Sequence, residues 1–289
     1  MRQTSKMATV GFLTPGVGLL FIFIIIPIVL TAWVSLNHWS MFTSVDKMTF
    51  AGLDNYKAIF MDEAFRRALF NTFGYAVFNL IIMVPLSIVL GIFLYKNVLR
   101  GNGIVRSLLF LPYVLPTVAV AIVWSYLYSP THGPLNEILA WFHVAPQDWL
   151  GSTDQAMLSL VILNVWQTLG YYVVIILAGL TEIPTSYYEA SSIDGANIFQ
   201  QTFYITLPLM KRSLSFAMVI MTINTLQMFD PVYVLTQGGP VNSTNVVSYH
   251  MYDTAFNNGH AGEASSMAFV LFIIVLFFTA LQLRLFKSE

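Results

Sequence analysis

The sequence predicts an all-α, polytopic membrane protein with six transmembrane helices, and three observations carry that prediction. Hydrophobic residues make up 57% of the 289 positions and charged residues 9%, against about 45–50% and about 25% in water-soluble domains. The few charges fall between long, nearly charge-free stretches. Each such stretch reaches the roughly 20 apolar residues that a helix needs to cross about 30 Å of hydrocarbon. A water-soluble enzyme would need far more charge to cover its surface. The net charge of -1 leaves no basic excess to hold nucleic acid. With no cysteine, disulfides, thiolate metal sites and cysteine nucleophiles are excluded.

The six expected spans are 11–36, 69–95, 107–128, 156–180, 213–236 and 264–286. A charge at a helix centre costs about 2.5–3.5 kcal/mol on insertion scales, which explains why Lys, Arg, Asp and Glu nearly vanish from these windows. The first stretch follows Arg2 and Lys6 like a signal peptide. It runs on to Leu36, past a signal core of about 7–15 residues, and contains Pro27, so it reads as a retained helix. The fifth carries Asp230 and Pro231 near its far end. The expected organisation is a first helix with an outer loop over 1–68, then a five-helix core over 69–286 that carries a long polar loop at 181–212.

Basic residues set the orientation. With the N-terminus inside, the inner segments hold Arg2, Lys6, Lys96, Arg100, Arg106, Lys211, Arg212, Arg284 and Lys287. The outer segments hold only Lys47, Lys57, Arg66 and Arg67, so both termini are expected to be cytoplasmic. The five histidines (His38, His132, His143, His250, His260) are scattered over outer loops, and no metal site is expected. Trp39, Trp141 and Trp149 suit the membrane interface.

The loop 181–212 is punctuated like a helix-turn-helix. Ser186 and Glu189 have the spacing of a capping box, with Pro184 just before. Gly195 suits the left-handed residue that ends a first helix. Asn197 and Gln200 offer a second start, and Pro208 closes that helix before Lys211 and Arg212. Tyr188, Ile193, Ile198, Phe199 and Phe203 give the hairpin an apolar face. A lipid-surface helix would carry Lys or Arg on its polar side. This one carries Glu182, Glu189 and Asp194, which favours docking on a partner protein.

Here a resemblance enters. Glu189-Ala190-Ser191, then Gly195 after three residues, then Ile205-Thr206-Leu207-Pro208 after nine more resemble the EAA loop of permease subunits of binding-protein-dependent ABC importers. Ser191 stands where the family has a second Ala. Phe50-Ala-Gly-Leu-Asp-Asn-Tyr56 and Leu235-Thr-Gln-Gly-Gly-Pro240 resemble the carbohydrate branch, of the maltose and glycerol-phosphate first-permease type. The resemblance implies a type I importer permease that couples to ATPase subunits through Glu189, Ala190, Ser191, Asp194, Gly195, Ile205, Leu207 and Pro208, with Glu189 and Gly195 central. It implies a second homologous permease, two ATPase subunits carrying ATP and magnesium, an extracytoplasmic solute-binding protein and a sugar substrate.

The chain holds no motor of its own. Of its six lysines only Lys287 precedes a Ser, with no glycine before it, so no phosphate-binding loop exists. No catalytic residue and no cofactor is expected in this chain. The alternative to an ATP-driven importer is an ion-coupled secondary transporter of a neutral polar solute, for which Asp230 is the only carboxylate within a span.

In the fourth span Asn164, Gln167, Thr168 and Tyr171 lie at i, i+3, i+4 and i+7, one helical face of amides, hydroxyls and an aromatic ring. The fifth span offers Met221, Asn224, Thr225 and Met228, with Gln227 and Asp230 nearby. The family resemblance places a solute pocket at these two stripes, so Asn164, Gln167, Thr168, Tyr171, Asn224, Thr225, Gln227, Met228 and Asp230 are the expected substrate contacts. The same side chains equally serve as interhelical glue, worth about 0.6 kcal/mol each. No Lys or Arg lies mid-span to meet a multiply anionic solute, so a neutral oligosaccharide fits best.

Overall fold

Long apolar runs without caps fold as long helices, and prolines decide where those helices bend. A computed structural model, described over residues 6–96 and 101–286, shows both effects. Among the described residues five helical stretches are long and apolar enough to cross a membrane, and a bent helix pair brings the number to six if it is one span. The expected all-helical, polytopic architecture is therefore present. The chain divides into two units, Met1–Arg66 with His250–Phe272, and Arg67–Tyr249 with Ile273–Glu289.

In the first unit α1 (Lys6–Leu20) passes through a π-helical turn, Phe21–Ile25, into α2 (Ile26–Ser35). The π turn answers Pro27. A proline ring collides with the carbonyl four residues back. Here the residue before it, Ile26, donates to Phe21, one carbonyl further away, so the turn widens around the Phe23 carbonyl. A short antiparallel pair follows, β1 (Asn37–His38) with β2 (Thr49–Phe50). Beyond it, α3 (Asp54–Met61) brings in Asn55, which donates to the Ser35 and Asn37 carbonyls, both at 2.9 Å. Asp62 caps the long α4 (Glu63–Tyr95) by accepting from the Ala64 and Phe65 amides, and His250 Nε2 lies 3.1 Å from its Oδ2.

The second unit is organised around one helix. After α4 come α5 (Asn102–Val114), α6 (Thr117–Leu127), α7 (Pro134–Trp141) and α8 (Ala156–Thr181). The expected continuous span 107–128 is instead α5 and α6 meeting at 99°. Pro116 causes the break, because it has no N–H to continue the ladder and it drives Leu115 out of the helical region, to φ -76°, ψ 141°. Half of the most apolar window of α8 is buried. At Gly170 it meets α5 backbone to backbone, where any Cβ would collide with the Leu109 carbonyl. Met83, Tyr172, Ile176, Leu180, Met210 and Met221 form one apolar cluster along it, and Tyr75, Leu160, Val161, Met228, Val232 and Val246 another.

After the hairpin helices α9 (Thr185–Ile193), α10 (Ile198–Gln201) and α11 (Leu207–Leu209), α12 (Lys211–Leu226) re-enters. It breaks before α13 (Asp230–Leu235) at Phe229, whose φ of -135° and ψ of -60° leave the helix. The following turn holds left-handed residues at Gln237, Gly238, Val241 and Asn242. Asn71 of α4 braces it by donating to the Asn242 and Asn245 carbonyls, both at 2.8 Å. The chain ends through α14 (Val247–Tyr252) and α15 (Ala261–Leu285).

Candidate functional site: the 185–209 hairpin and the polar stripe of α8

The hairpin is stitched by its own neighbours. Gly195, at φ +80°, closes α9 in a Schellman arrangement: its N–H donates to Ser192 and that of Ala196 to Ser191. Asn197 and Gln200 provide the expected second start, through a reciprocal capping box at 2.9 and 2.8 Å. The box expected at Ser186 and Glu189 is absent. Pro184 is the N-cap of α9 and makes no side-chain cap, so Ser186 sits inside the first turn, where its hydroxyl cannot cap. Gln201 crosses between the helices, donating to Ser191 Oγ at 3.1 Å and Ser192 Oγ at 3.0 Å.

Pro208 closes the second helix to within one residue. It lies within α11, after a π turn at Thr202–Thr206 in which Leu207 donates to Thr202. The π turn is the same device as at Pro27, and Met210, at φ -89° and ψ 11°, then separates α11 from α12. Tyr188 also departs from expectation, since it turns inward. Its hydroxyl lies 3.0 Å from Thr206 Oγ1 and its ring 6.5 Å from that of Tyr95. Burial pushes its phenol up from the ordinary value, and the Thr206 hydrogen bond partly offsets the rise.

The outward face is apolar: Ile193 is 87% exposed, Phe199 72%, Phe203 63% and Tyr204 80%, with Ile198 beside them. Glu189 is exposed and lines a cleft of about 440 Å³ with Tyr95, Lys96, Tyr188, Ser192 and Ile193. Asp194, Gly195 and Ile205 line a second, of about 290 Å³. Ala190 and Pro208 are exposed, Leu207 is half-buried, and Ser191 is buried.

The structure distributes the expected solute contacts unevenly. Asn164 donates to Asn79 of α4 at 2.7 Å. Thr168 bonds back to the Asn164 carbonyl, and Thr225 to that of Met221. Tyr171 stacks on Tyr113 of α5, with centroids 4.4 Å apart and planes at 12°. Asn224 is joined to α8 through the Tyr172 hydroxyl at 3.3 Å. Gln227 and Asp230 are exposed, and Asp230 starts α13, where a carboxylate suits the helix N-terminus. Met228 is buried in the cluster around Tyr75 and Leu160. Gln167 is 4% exposed and reaches the bend between α5 and α6. Tyr113 and Thr117 thus join the stripe from a segment that sequence reasoning did not connect to it. The Leu115-Pro116 pair was the available signal, since it marks a break inside a span.

Comparison with known proteins agrees with this architecture. The family described as binding-protein-dependent transport system inner membrane component matches residues 83–287. The trehalose/maltose transport system permease protein MalF of Thermococcus litoralis is 34% identical, over 97% of this chain and 96% of its own length. The diacetylchitobiose uptake system permease protein NgcF of Streptomyces coelicolor is 32% identical, over 94% and 80%. In fold, the chain resembles a chain of the crystal structure of a bacterial ABC transporter involved in the import of the acidic polysaccharide alginate. The TM-score is 0.80 at 23% identity, over 96% of this chain and 95% of that one.

Proposed function

The chain belongs to the inner-membrane components of binding-protein-dependent transport systems, and from that membership we propose that it is the permease subunit of an ATP-driven importer whose cargo is a neutral oligosaccharide. The observation that carries the proposal is the hairpin: two short helices capped from within, closed on a left-handed glycine, with Ile193, Phe199, Phe203 and Tyr204 turned outward. Such a face suits a groove in another protein. Two ATPase subunits, holding ATP and magnesium, grip this hairpin and that of a second, homologous permease. An extracytoplasmic binding protein delivers the sugar on the other side. Both termini and the hairpin are cytoplasmic, in keeping with the excess of Lys and Arg in those segments.

The solute meets Asn164, Thr168 and Tyr171 on α8, joined by Tyr113, and Asn224, Gln227 and Asp230 beyond. Thr225 and Met228, both buried, pack instead. Amides and hydroxyls exchange hydrogen bonds with sugar hydroxyls, and an aromatic face covers the apolar side of a sugar ring. The pathway opens alternately to either side as the hairpins move with the ATPases, and this chain contributes no bond-breaking step. The disaccharides in the names of the two relatives favour a cargo of that size.

Co-expression with neighbouring permease, ATPase and binding-protein genes, followed by uptake assays in proteoliposomes with maltose, trehalose, diacetylchitobiose and arabino-oligosaccharides, tests the proposal. ATP-dependent uptake of at least one, abolished by Glu189→Lys while the binding protein still captures the solute, is the expected result. Uptake by this chain alone, collapsed by an ionophore, would overturn it in favour of ion coupling.

A further inference from the structure

We infer that Gln167 is a positioning residue that clasps the bend of the third span, and that it makes no contact with the solute. The inference rests on the reading of the chain as a permease. A bend inside a membrane leaves backbone groups without helical partners, and in hydrocarbon each must find another. At Leu115 the chain has left the helix, and Pro116 supplies no N–H, so the Leu115 carbonyl and the first turn of α6 face this shortage together. The side-chain amide of Gln167 answers the first, donating to the Leu115 carbonyl at 3.3 Å, and reaches across Pro116 to donate to Thr117 Oγ1 at 3.4 Å, one acceptor on each side of the proline.

The neighbours of Gln167 on α8 face the same segment. Gly170 seats the α5 backbone at Leu109, and Tyr171 stacks on Tyr113. Residues 167, 170 and 171 thus form one helical row that grips α5 and the bend, with Gln167 at its tip. At 4% exposure the side chain has no surface left to offer a sugar. Both contacts are long for hydrogen bonds, so they hold the bend without locking it. A cavity of about 390 Å³, lined by Leu115, Pro116, Val120, Val123, Trp124 and Trp166, lies beside the bend and gives it space to move into.

The test uses the reconstituted complex and exploits the lack of native cysteine. Spin labels at Leu111→Cys and Val123→Cys, exposed positions on α5 and α6, report the bend as a distance distribution. In Gln167→Met the distribution broadens, the maximal uptake rate of whichever of the four saccharides is transported falls about tenfold, and KM stays within about twofold. Thr117→Val, which removes a single acceptor and leaves the rest of the fold alone, moves both readouts in the same direction by less. Gln167→Asn, which keeps the donors, restores part of the rate.

An unchanged distance distribution in both variants overturns the inference. So does a raised KM with unchanged maximal rate, which would make Gln167 a solute contact, and so does a broadened bend with normal uptake. If none of the four saccharides is transported by the parent complex but Gln167→Met still broadens the bend, the cargo reading fails while the clasp stands.

Discussion

The hairpin at 185–209 and the bend at Leu115-Pro116 are both places where helical bonding stops, yet they are held by opposite means. In the hairpin these polar partners all lie within the hairpin itself: Asn197 with Gln200 three residues on, Gln201 with Ser191 and Ser192 ten and nine residues back, and Tyr188 with Thr206. The bend is held by Gln167, 52 and 50 residues from its acceptors, and by the α5 backbone lying on Gly170. The first can form before the rest of the chain has folded, whereas the second exists only once α5, α6 and α8 are assembled. A segment proposed to dock on a separate protein carries its own scaffold. A segment inside the bilayer borrows one.

Four experiments put that contrast under strain. Gly170→Ala should have the largest effect, because its methyl meets backbone and cannot be relieved by a rotamer change. A loss of about 3 kcal/mol, read as a lowered Tm of the purified complex, is expected, and an unchanged Tm would mean that α5 is not seated there. Gly195→Val forces a β-branched residue to φ +80°, at about 2 kcal/mol. Because the damage stays local, Tm should barely move while ATP-driven uptake falls at least about tenfold. Asn197→Ala removes one cap, at about 1 kcal/mol, and should weaken co-purification of the ATPase subunits without altering solute capture. The smallest effect is expected between α4 and α8: a double-mutant cycle of Asn79→Ala and Asn164→Ala should give a stability coupling of about 0.6 kcal/mol. A zero coupling energy would make the 2.7 Å contact incidental.

The same contrast explains what could be read from the residues alone. Span positions follow from hydropathy, which depends on composition over a window, and the Gly195 turn and the Asn197 box are local signals. The Ser186–Glu189 box misled because two competing starts lie a residue or two apart, and Pro184, already extended at ψ 136°, begins the helix before Ser186 can cap it. Pro208 marks the end of the second helix to within one residue, because a π turn admits the proline, as at Pro27, and the helix stops at Leu209. Hydropathy is blind to direction, so α5 and α6 looked like one rod. With the rod straight, nothing linked Tyr113 and Thr117 to Tyr171 and Gln167. Tyr188 has the helical spacing of the outward face, but its hydroxyl finds Thr206 across the hairpin, a pairing that only the folded turn creates.

One consequence concerns the opening span. The most apolar window of its 26-residue stretch, Val10–Ser35, has no buried residue in the described chain, and Ser35 at its end is buried. At about 1.5 Å per residue it is about 39 Å long, roughly 9 Å more than typical hydrocarbon thickness. Held at its Ser35 end by Asn55 and Ser266 and bare along its apolar stretch, the helix absorbs the surplus length by a lean of about 40° or by an overhang into the headgroups. Bilayer thickness therefore becomes an input to this part of the molecule: thicker membranes stand the rod upright and thinner ones lay it over.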